Sequence, residues 1–250
     1  MLPLAFFTSS IPASACTFKC ESIPSSDNVL VQEKMGSPEE NGNHLNYEIA
    51  VWNMHKGNRR TFEREYLSLN ADMVIGQEIL LTKKFLELNQ NRYLTLSTGF
   101  FMKKGKRTGT GIMSNLEPLS SKAFVSPEVE RFGKAPKTIT KNEYPYFTVY
   151  SVHGMTTKNV MKQMREIEGD LANTPSSVIV AGDFNTNRHK EIMALDNFME
   201  TLGLHRITKG YDGKFLVDHV YTRGINLVGK VKTYKTQASD HPIIKFKIRI

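Results

Sequence analysis

The segment Val178–Asn185 reads VIVAGDFN and predicts a β-strand that runs directly into polar side chains. A short apolar run that ends at a glycine is typical of a strand. In α/β sheets, side chains at strand ends converge on a crevice at one edge of the sheet. Asp183 and Asn185 are therefore predicted to lie in a cleft, where a carboxylate and an amide suit metal or phosphate chemistry.

The same arrangement of an apolar run next to a polar residue recurs along the chain. It places five further groups at strand ends: Asn53, Glu78, His153, Asp218 and the pair Asp240–His241. Each has a structural alternative when taken alone, because a single asparagine is often a turn residue or helix cap. The combination outweighs those alternatives and predicts one cleft. The run Ser239–His241 is not a serine triad, because adjacent residues cannot form that relay and no G-x-S-x-G elbow occurs.

Apolar patterning predicts a single α/β domain rich in β-structure. Strands are expected at residues 47–52, 73–76, 94–101, 109–114, 146–152, 177–181, 215–221, 228–234 and 243–250. Helices are expected at residues 60–69, 82–88, 158–173 and 189–202, where apolar residues recur at helical spacing. No internal repeat is evident.

Composition excludes several classes of protein. The chain has 250 residues, of which 40% are hydrophobic and 23% charged, as in an ordinary globular protein. No apolar run approaches the roughly 20 residues that span a bilayer, so no integral membrane segment is expected. Both cysteines, Cys16 and Cys20, lie at the start of the chain. The body of the chain therefore has no cysteine catalysis, zinc-thiolate site or disulfide framework.

The N-terminal region differs from the rest and is expected to be a leader and flexible linker over residues 1–45. Met1–Ala15 combines a short apolar stretch with a signal-like Ala13–Ala15 cleavage site, but it lacks a positive n-region. Export to the periplasm or medium and a disordered leader on a cytoplasmic protein both remain open. The domain would then cover residues 46–250.

Charge is distributed unevenly between these two parts. Residues 1–45 carry a formal charge of −3 and the remaining 205 residues carry +11. A surplus of that size favours anionic partners such as nucleic acid, although many basic proteins bind nothing acidic. Four basic residues cluster in a turn between two predicted strands: Lys103, Lys104, Lys106 and Arg107. They are predicted either to bind substrate or to form a solvated turn.

The strand-end motifs together resemble the endonuclease/exonuclease/phosphatase superfamily, particularly its small bacterial members. The resemblance covers residues 47–250 and rests on W-N-M at 52–54, Q-E at 77–78, G-I-M-S at 111–114, H-G at 153–154, G-D-F-N at 182–185, D-H-V at 218–220 and S-D-H at 239–241. It implies a four-layer α/β sandwich, with two packed mixed sheets flanked by helices. It also implies Mg²⁺-dependent cleavage of phosphoester bonds, with Mn²⁺ as a possible substitute.

The resemblance implies a role for each strand-end residue. The metal ligands would be Asn53, Glu78 and Asp240, whose oxygen atoms suit a hard cation. His241 would contact the scissile phosphate or the attacking water, and Asp218 would fix its tautomer. Asp183 would orient or deprotonate water, Asn185 would bond a phosphoryl oxygen, and His153 would be a second histidine near the leaving oxygen.

Departures from the better-known branches leave the substrate open. The deoxyribonuclease branch supports the second histidine with a glutamate, but residues 98–116 contain no acid. His153 is therefore either a proton donor or a phosphate binder. A nuclease is the first hypothesis for function, because of the basic domain and turn. The alternatives are a phospholipid or small-molecule phosphoesterase and a catalytically silent binding domain. Nothing in the sequence predicts a protein partner.

Overall fold

The computed structural model describes residues 29–34, 46–102, 106–129, 136–156, 160–175, 177–209 and 217–250, with only the backbone described at 31–34, 100–102 and 106–107. Its strands are β1 (Leu30–Lys34), β2 (Asn46–Asn53), β3 (Met73–Leu80), β4 (Tyr93–Met102), β5 (Lys106–Ser114), β6 (Ser120–Val129), β7 (Pro136–Glu143), β8 (Phe147–His153), β9 (Ser177–Asp183), β10 (His205–Arg206), β11 (Asp218–Arg223), β12 (Asn226–Tyr234) and β13 (Ile243–Arg249). Its helices are α1 (Phe62–Leu67), α2 (Lys83–Leu88), α3 (Val160–Arg165), α4 (Glu168–Asn173) and α5 (His189–Thr201), and a 3-10 turn covers His55–Gly57.

The described strands form two mixed sheets. The first has the order β1-β4-β5-β3-β2-β13-β12, and the second has the order β10-β11-β9-β8-β7-β6. One neighbouring pair in each sheet is parallel, β2 with β3 and β8 with β9. Because parallel strands carry their carboxyl ends to the same edge, these four strands end side by side.

Three apolar layers hold the sheets and helices together. The first layer packs α1 and α2 on the first sheet, where Trp52 stacks on Phe62 with ring centroids 5.4 Å apart. The second lies between the sheets, with Ile49, Val51 and Ile179 among its members. The third packs α3, α4 and α5 on the second sheet. The order helix, sheet, sheet, helix confirms the predicted four-layer sandwich.

Three strands of the second sheet were not predicted from the sequence: β6, β7 and the two-residue β10. The inward side chains of β7 are Thr138, Thr140 and Asn142, which are buried although they are polar. Thr140 donates from Oγ1 to Oγ of Ser97 at 2.8 Å, across the interface between the sheets. A strand whose buried positions are hydroxyls lacks the alternation that marks a half-buried strand. β6 pairs with it and was missed as well.

Other predicted boundaries need correction. The helix expected at 158–173 is divided into α3 and α4, and residues 157–159 lie outside the described part of the chain. Five residues of the expected linker form β1, which pairs with β4 in antiparallel register. Of the expected leader and linker over residues 1–45, residues 1–28 and 35–45 lie outside the described residues. Among the described helices, none has the length and apolar character needed to cross a membrane.

The backbone register gathers the polar strand ends at one edge of the sandwich. Asp183 lies beside His153 across the parallel pair and beside Asp218 across the antiparallel pair. Gly182 has φ +144°, and a Cβ atom there would collide with the carbonyl oxygen of Val152. Only glycine therefore fits before Asp183. The sequence G-D-F-N positions its carboxylate through this constraint.

Candidate active site

Asp183 is the central residue of the cleft. Its Oδ2 accepts a hydrogen bond from Nδ2 of Asn53 at 2.9 Å, and its Oδ1 accepts one from the backbone N–H of Asn185 at 2.9 Å. The side chain is almost fully buried. Burial, and then the negative charge of Asp218, raise the pKa of Asp183 to about 7. This carboxylate is thus poised to exchange a proton near neutral pH.

His241 lies on one side of Asp183, supported by Asp218. Its Nδ1 lies 2.9 Å from Oδ2 of Asp218, and its Nε2 lies 3.7 Å from Oδ2 of Asp183. Burial disfavours the imidazolium, but the hydrogen bond and negative charge of Asp218 outweigh it, and the pKa of His241 is raised to about 9. His241 is therefore a cation at neutral pH. The structure brings the predicted pair together.

His153 lies on the other side of Asp183, and its neighbour is Lys137. The imidazole Nε2 lies 3.7 Å from Oδ2 of Asp183 and 2.8 Å from Nζ of Lys137. Burial, and then the positive charge of Lys137, hold the pKa of His153 well below its ordinary value. Because an ammonium group has no lone pair, Nε2 must accept this hydrogen bond. His153 is thus neutral, with its proton on Nδ1.

Glu78 lies in the cleft on a distorted part of β3. The register between β3 and β5 shifts between Gly76 and Ile79, and Glu78 has φ +49°. Such a conformation is uncommon for a residue with a side chain and often marks a functional position. Its Oε2 lies 2.9 Å from Nζ of Lys56, and its Oε1 lies 4.0 Å from Nε2 of His153. Burial raises the pKa of Glu78, but the hydrogen bond and charge of Lys56 outweigh it and lower that pKa.

The remaining predicted site residues are Asn53, Asn185 and Asp240, which also lie at the cleft. Asn185 has φ +53°, and its Nδ2 donates to the carbonyl oxygen of Gly154 at 2.9 Å. Asn53 is buried, and Ser239 donates from Oγ to its carbonyl oxygen at 2.6 Å. Asp240 lies further out, since its side chain is 56% exposed and its Oδ1 contacts Nδ1 of His55 at 2.9 Å.

Sequence reasoning missed the two lysines of the cleft. Lys56 follows the W-N-M motif closely, so a basic residue next to a strand-end motif was a usable signal. Lys137 had no such signal, because it lies in the strand β7 that the sequence did not predict. Both lysines add positive charge to the cleft, whereas the sequence motifs pointed mainly to its acidic residues.

The donor atoms of the cleft fit a hard divalent cation. Carboxylate and amide oxygens are the ligands such a cation prefers, and Glu78 and Asn53 provide them. The ammonium of Lys56 lies against Glu78, which shows that a positive charge is accommodated at this carboxylate. Among the described residues, one group of three side chains has ligand atoms within 4.8 Å of one another: Asp183, Asp218 and His241.

The basic turn joins β4 to β5, and β5 pairs with β3, the strand that carries Glu78. Lys103 and Lys104 lie outside the described residues, and Lys106 and Arg107 are described only by their backbone in β5. At the base of this hairpin, Gly109 pairs with Ile79, the residue after Glu78. The hairpin therefore begins at the edge of the cleft.

A cavity of about 580 Å³ opens beside Asn185. It lies between the start of α3 and the first turn of α5, with Met155 and Val160 as apolar lining and Arg188 and Lys190 as basic lining. A volume of this size is large enough for a small organic group. The cleft thus has room beside the reacting centre.

Sequence comparison extends the match from motifs to most of the chain. A sequence profile of the Endonuclease/Exonuclease/phosphatase family matches residues 50–241. The chain belongs to this family. Its members are generally hydrolases of phosphoester bonds, and they typically depend on a divalent metal. The resemblance inferred from the motifs is confirmed.

Individual family members and relatives are distant. A UPF0294 protein from Vibrio campbellii is 25% identical over 211 residues, which cover 77% of this chain and 74% of that protein. An endonuclease/exonuclease/phosphatase family protein from Leptotrichia buccalis superposes with a TM-score of 0.64 at 16% identity, over 81% of this chain and 99% of that one. Humanized D. rerio TDP2 gives 0.58 at 18% identity, over 83% of this chain and 100% of that one. These structures show the shared fold.

Proposed function

We propose that the chain is a Mg²⁺-dependent phosphodiesterase whose substrate is nucleic acid. One observation carries the proposal above the others. Asp183 lies between two imidazoles, with both Nε2 atoms 3.7 Å from the same carboxylate oxygen, and Glu78 lies beside one of them. This arrangement combines a proton acceptor, a fixed cation and an oxygen ligand, as cleavage of a phosphodiester requires.

The metal would be held on the Glu78 side of the cleft. Glu78 and Asn53 are the proposed ligands, and Asp240 is the third predicted ligand at the rim. The ion, when bound, would neutralise charge on the phosphate. Mn²⁺ is expected to substitute for Mg²⁺, because both cations accept oxygen ligands. Lys56 would then move from Glu78 towards the phosphate or solvent.

Asp183 is the proposed proton acceptor for the attacking water. A general base works best when its pKa lies near the operating pH, and the pKa of Asp183 is about 7. The hydrogen bonds from Asn53 and from the backbone of Asn185 fix the carboxylate in one orientation. Asn185 has a second amide hydrogen besides the one on Gly154, and we assign it to a phosphoryl oxygen.

The two histidines then have different roles at the phosphate. His241, held by Asp218, would donate its Nε2–H to a phosphoryl oxygen and so stabilise the negative charge of the transition state. His153 accepts a hydrogen bond from Lys137 at Nε2, so this nitrogen has no proton to donate to the leaving oxygen. We propose that the ammonium of Lys137 stabilises the negative charge on the leaving oxygen and that His153 holds this ammonium in place.

Nucleic acid is favoured as the substrate by charge and by the hairpin. The domain carries +11, and the hairpin with Lys103, Lys104, Lys106 and Arg107 begins at the edge of the cleft. The endonuclease domain of the retrotransposon TRAS1 has the same fold, with a TM-score of 0.55 at 16% identity. The cavity beside Asn185 supports the second candidate, hydrolysis of a phospholipid headgroup or small phosphoester. A silent binding domain has no need for the complete set of acids and imidazoles.

The proposed function is tested by turnover of a small phosphodiester, a plasmid, single-stranded DNA, RNA and phospholipid vesicles with Mg²⁺. Glu78→Gln should lower turnover at least about 10³-fold, because it removes the negative charge of the proposed metal ligand without removing a packing group. Glu200→Gln, at an exposed position of α5, is the matched control and should leave turnover unchanged. Full activity in excess chelator, or in Glu78→Gln, would contradict the proposal.

The hairpin separates the two substrate classes. Replacing Lys103, Lys104, Lys106 and Arg107 by glutamine should flatten the salt dependence of binding to duplex DNA by up to about 0.9 per lost phosphate contact. Turnover at saturating DNA should survive, because these residues supply binding that is equal in ground and transition states. An unchanged salt dependence would show that the hairpin is a solvated turn.

A further inference from the structure

Positive charge accumulates in the C-terminal segment of the chain, on the two strands that flank Asp240 and His241 in sequence. Residues 219–250 contain seven lysines and arginines and a single carboxylate, Asp240. Most of this charge lies on β12 and β13, which form one edge of the first sheet. A strand at the edge of a sheet often carries lysines that prevent pairing with another molecule.

The sequence of β13 separates its two faces. Ile244, Phe246 and Ile248 are buried in the layer between the sheets. The alternate residues, Lys245, Lys247 and Arg249, therefore project from the outer face of the sheet. This face of β13 is basic at three successive positions.

β12 adds positive charge to the same face. Lys232 lies opposite Lys245, and Val228 lies opposite Lys247, with an irregular segment that includes Lys230 between them. Like charges directly opposite each other on one face destabilise a pair of strands. Lys232 is present although an uncharged residue at this position would avoid the repulsion from Lys245.

Little of this charge is neutralised within the described part of the chain. Glu48 lies 3.5 Å from Nζ of Lys245 and 3.6 Å from Nζ of Lys247. Lys245 also donates to the carbonyl oxygen of Leu69 at 2.8 Å. The exposed Lys230 and Lys232 form no ion pair with any described residue. We name the exposed groups the basic rim: Lys230, Lys232, Lys247 and Arg249.

The basic rim leads away from the cleft along the sheet. β13 begins two residues after His241, and Arg249 at its other end pairs with Asn46, the first residue of β2. Seven residues of β-strand extend over about 20 Å. At the end nearest the cleft, Tyr234 lies opposite Ile243 and is 43% exposed. An aromatic side chain thus lies between the rim and the reacting centre.

We propose that the basic rim and Tyr234 bind a single strand of nucleic acid that continues from the cleft. The inference rests on the proposed function, and it specifies the substrate as a single-stranded polynucleotide extending beyond the scissile phosphate. The rim is one or two strands wide, which matches one phosphate backbone better than a planar membrane. Exposed aromatic side chains next to basic tracks are typical of single-strand binding, because each base offers a face for stacking.

The test is binding of a fluorescent single-stranded oligonucleotide of 20 nucleotides to the full chain in Ca²⁺ without Mg²⁺, followed by anisotropy. The rim variant, Lys230→Gln with Lys232→Gln, Lys247→Gln and Arg249→Gln, should bind at least tenfold more weakly. Its salt slope should fall by up to about 0.7 per lost contact. Tyr234→Ala should weaken binding about fivefold or more. The matched control neutralises four other basic residues at described positions: Lys83, Lys84, Lys162 and Arg165.

Binding within twofold of the parent in the rim variant would overturn the inference, as would an equal loss in the control variant. Loss of binding to anionic phosphatidylserine vesicles with unchanged oligonucleotide affinity would overturn it in favour of a membrane surface. Self-association of the rim variant with unchanged oligonucleotide affinity would show that the lysines only protect the sheet edge. Because binding needs no turnover, a parent that binds through the rim but cleaves nothing would contradict the proposed function and leave this inference standing.

Discussion

The two histidines of the cleft lie at the same distance from Asp183, but one is protonated and the other is neutral. The Nε2 atoms of His153 and His241 both lie 3.7 Å from Oδ2 of Asp183. The carboxylate of Asp218 keeps His241 protonated despite its burial, whereas burial, and then the ammonium of Lys137, keep His153 neutral. The neighbour of an imidazole, and not its distance from the reacting group, therefore sets what it can do.

This comparison assigns the two sides of the cleft to different parts of the reaction. The His241 side offers a cationic hydrogen-bond donor held in one orientation by Asp218. The His153 side offers a neutral imidazole whose Nε2 is occupied by Lys137, so the positive charge there belongs to the lysine. Changes that remove or exchange these neighbours should separate the two roles.

The largest effect is expected from the residue that both histidines share. Asp183→Asn removes the proposed base while keeping the size of the side chain, so kcat on a small phosphodiester should fall by about 10³-fold. Circular dichroism checks that the fold is retained. A variant with more than a tenth of the parent's kcat would show that Asp183 is not the proton acceptor.

The next effect concerns the pair Asp218 and His241. Asp218→Ala and His241→Ala should each lower kcat by about 10²- to 10³-fold, because either change removes the oriented imidazolium. The double variant should be little worse than the more impaired single variant, since residues that act as a unit are not additive. Multiplicative losses in this cycle would mean that the two side chains act separately.

A smaller effect is expected on the other side of the cleft. Lys137→Met keeps the length of the side chain and removes its charge, so kcat should fall about 10- to 100-fold. Lys137→Arg should recover part of the loss, and Lys162→Met on exposed α3 serves as the control. The pKa of His153 should also rise in Lys137→Met. An unchanged kcat together with an unchanged pKa of His153 would show that Lys137 has neither of the proposed roles.

The smallest effect is on stability and depends on pH. The pKa of His241 is raised to about 9 in the folded chain, above its unfolded value of about 6.5. Its contribution to the free energy of unfolding is therefore complete below pH 6.5 and is lost as the pH rises through 9. Between pH 6 and pH 9.5, the parent should lose about 3 kcal/mol more than His241→Gln in urea unfolding. Parallel pH profiles would contradict this assignment.

The difference between the two sides also explains what the sequence could predict. The His241 side could be predicted from the sequence, because Asp183, Asp218 and His241 each adjoin an apolar strand, and strand ends gather at one edge of a sheet. The pattern also predicted an α/β domain rich in β-structure, and the family resemblance of the strand-end motifs implied the sandwich. Lys137 could not be predicted from the sequence, because it lies in β7, whose buried positions include the polar residues Thr138 and Thr140.

The remaining misses have physical causes of the same kind. β1 lies in a polar segment and is stabilised by pairing with β4, which no local pattern reveals. The break between α3 and α4 comes within a run whose apolar spacing remains helical. Asp240 stays a predicted metal ligand, but its contact with His55 could not be predicted, because it depends on the 3-10 turn after β2.

The most direct test of the account is the protonation of the two histidines in the full chain without divalent metal. Long-range ¹H–¹⁵N correlation spectra between pH 5.5 and 9.5 distinguish protonated from neutral imidazoles, and His153→Gln and His241→Gln assign the signals. The account predicts that His241 remains doubly protonated until the pH approaches 9, while His153 stays neutral with its proton on Nδ1 throughout. Titration of both residues together near pH 6.5 would contradict it.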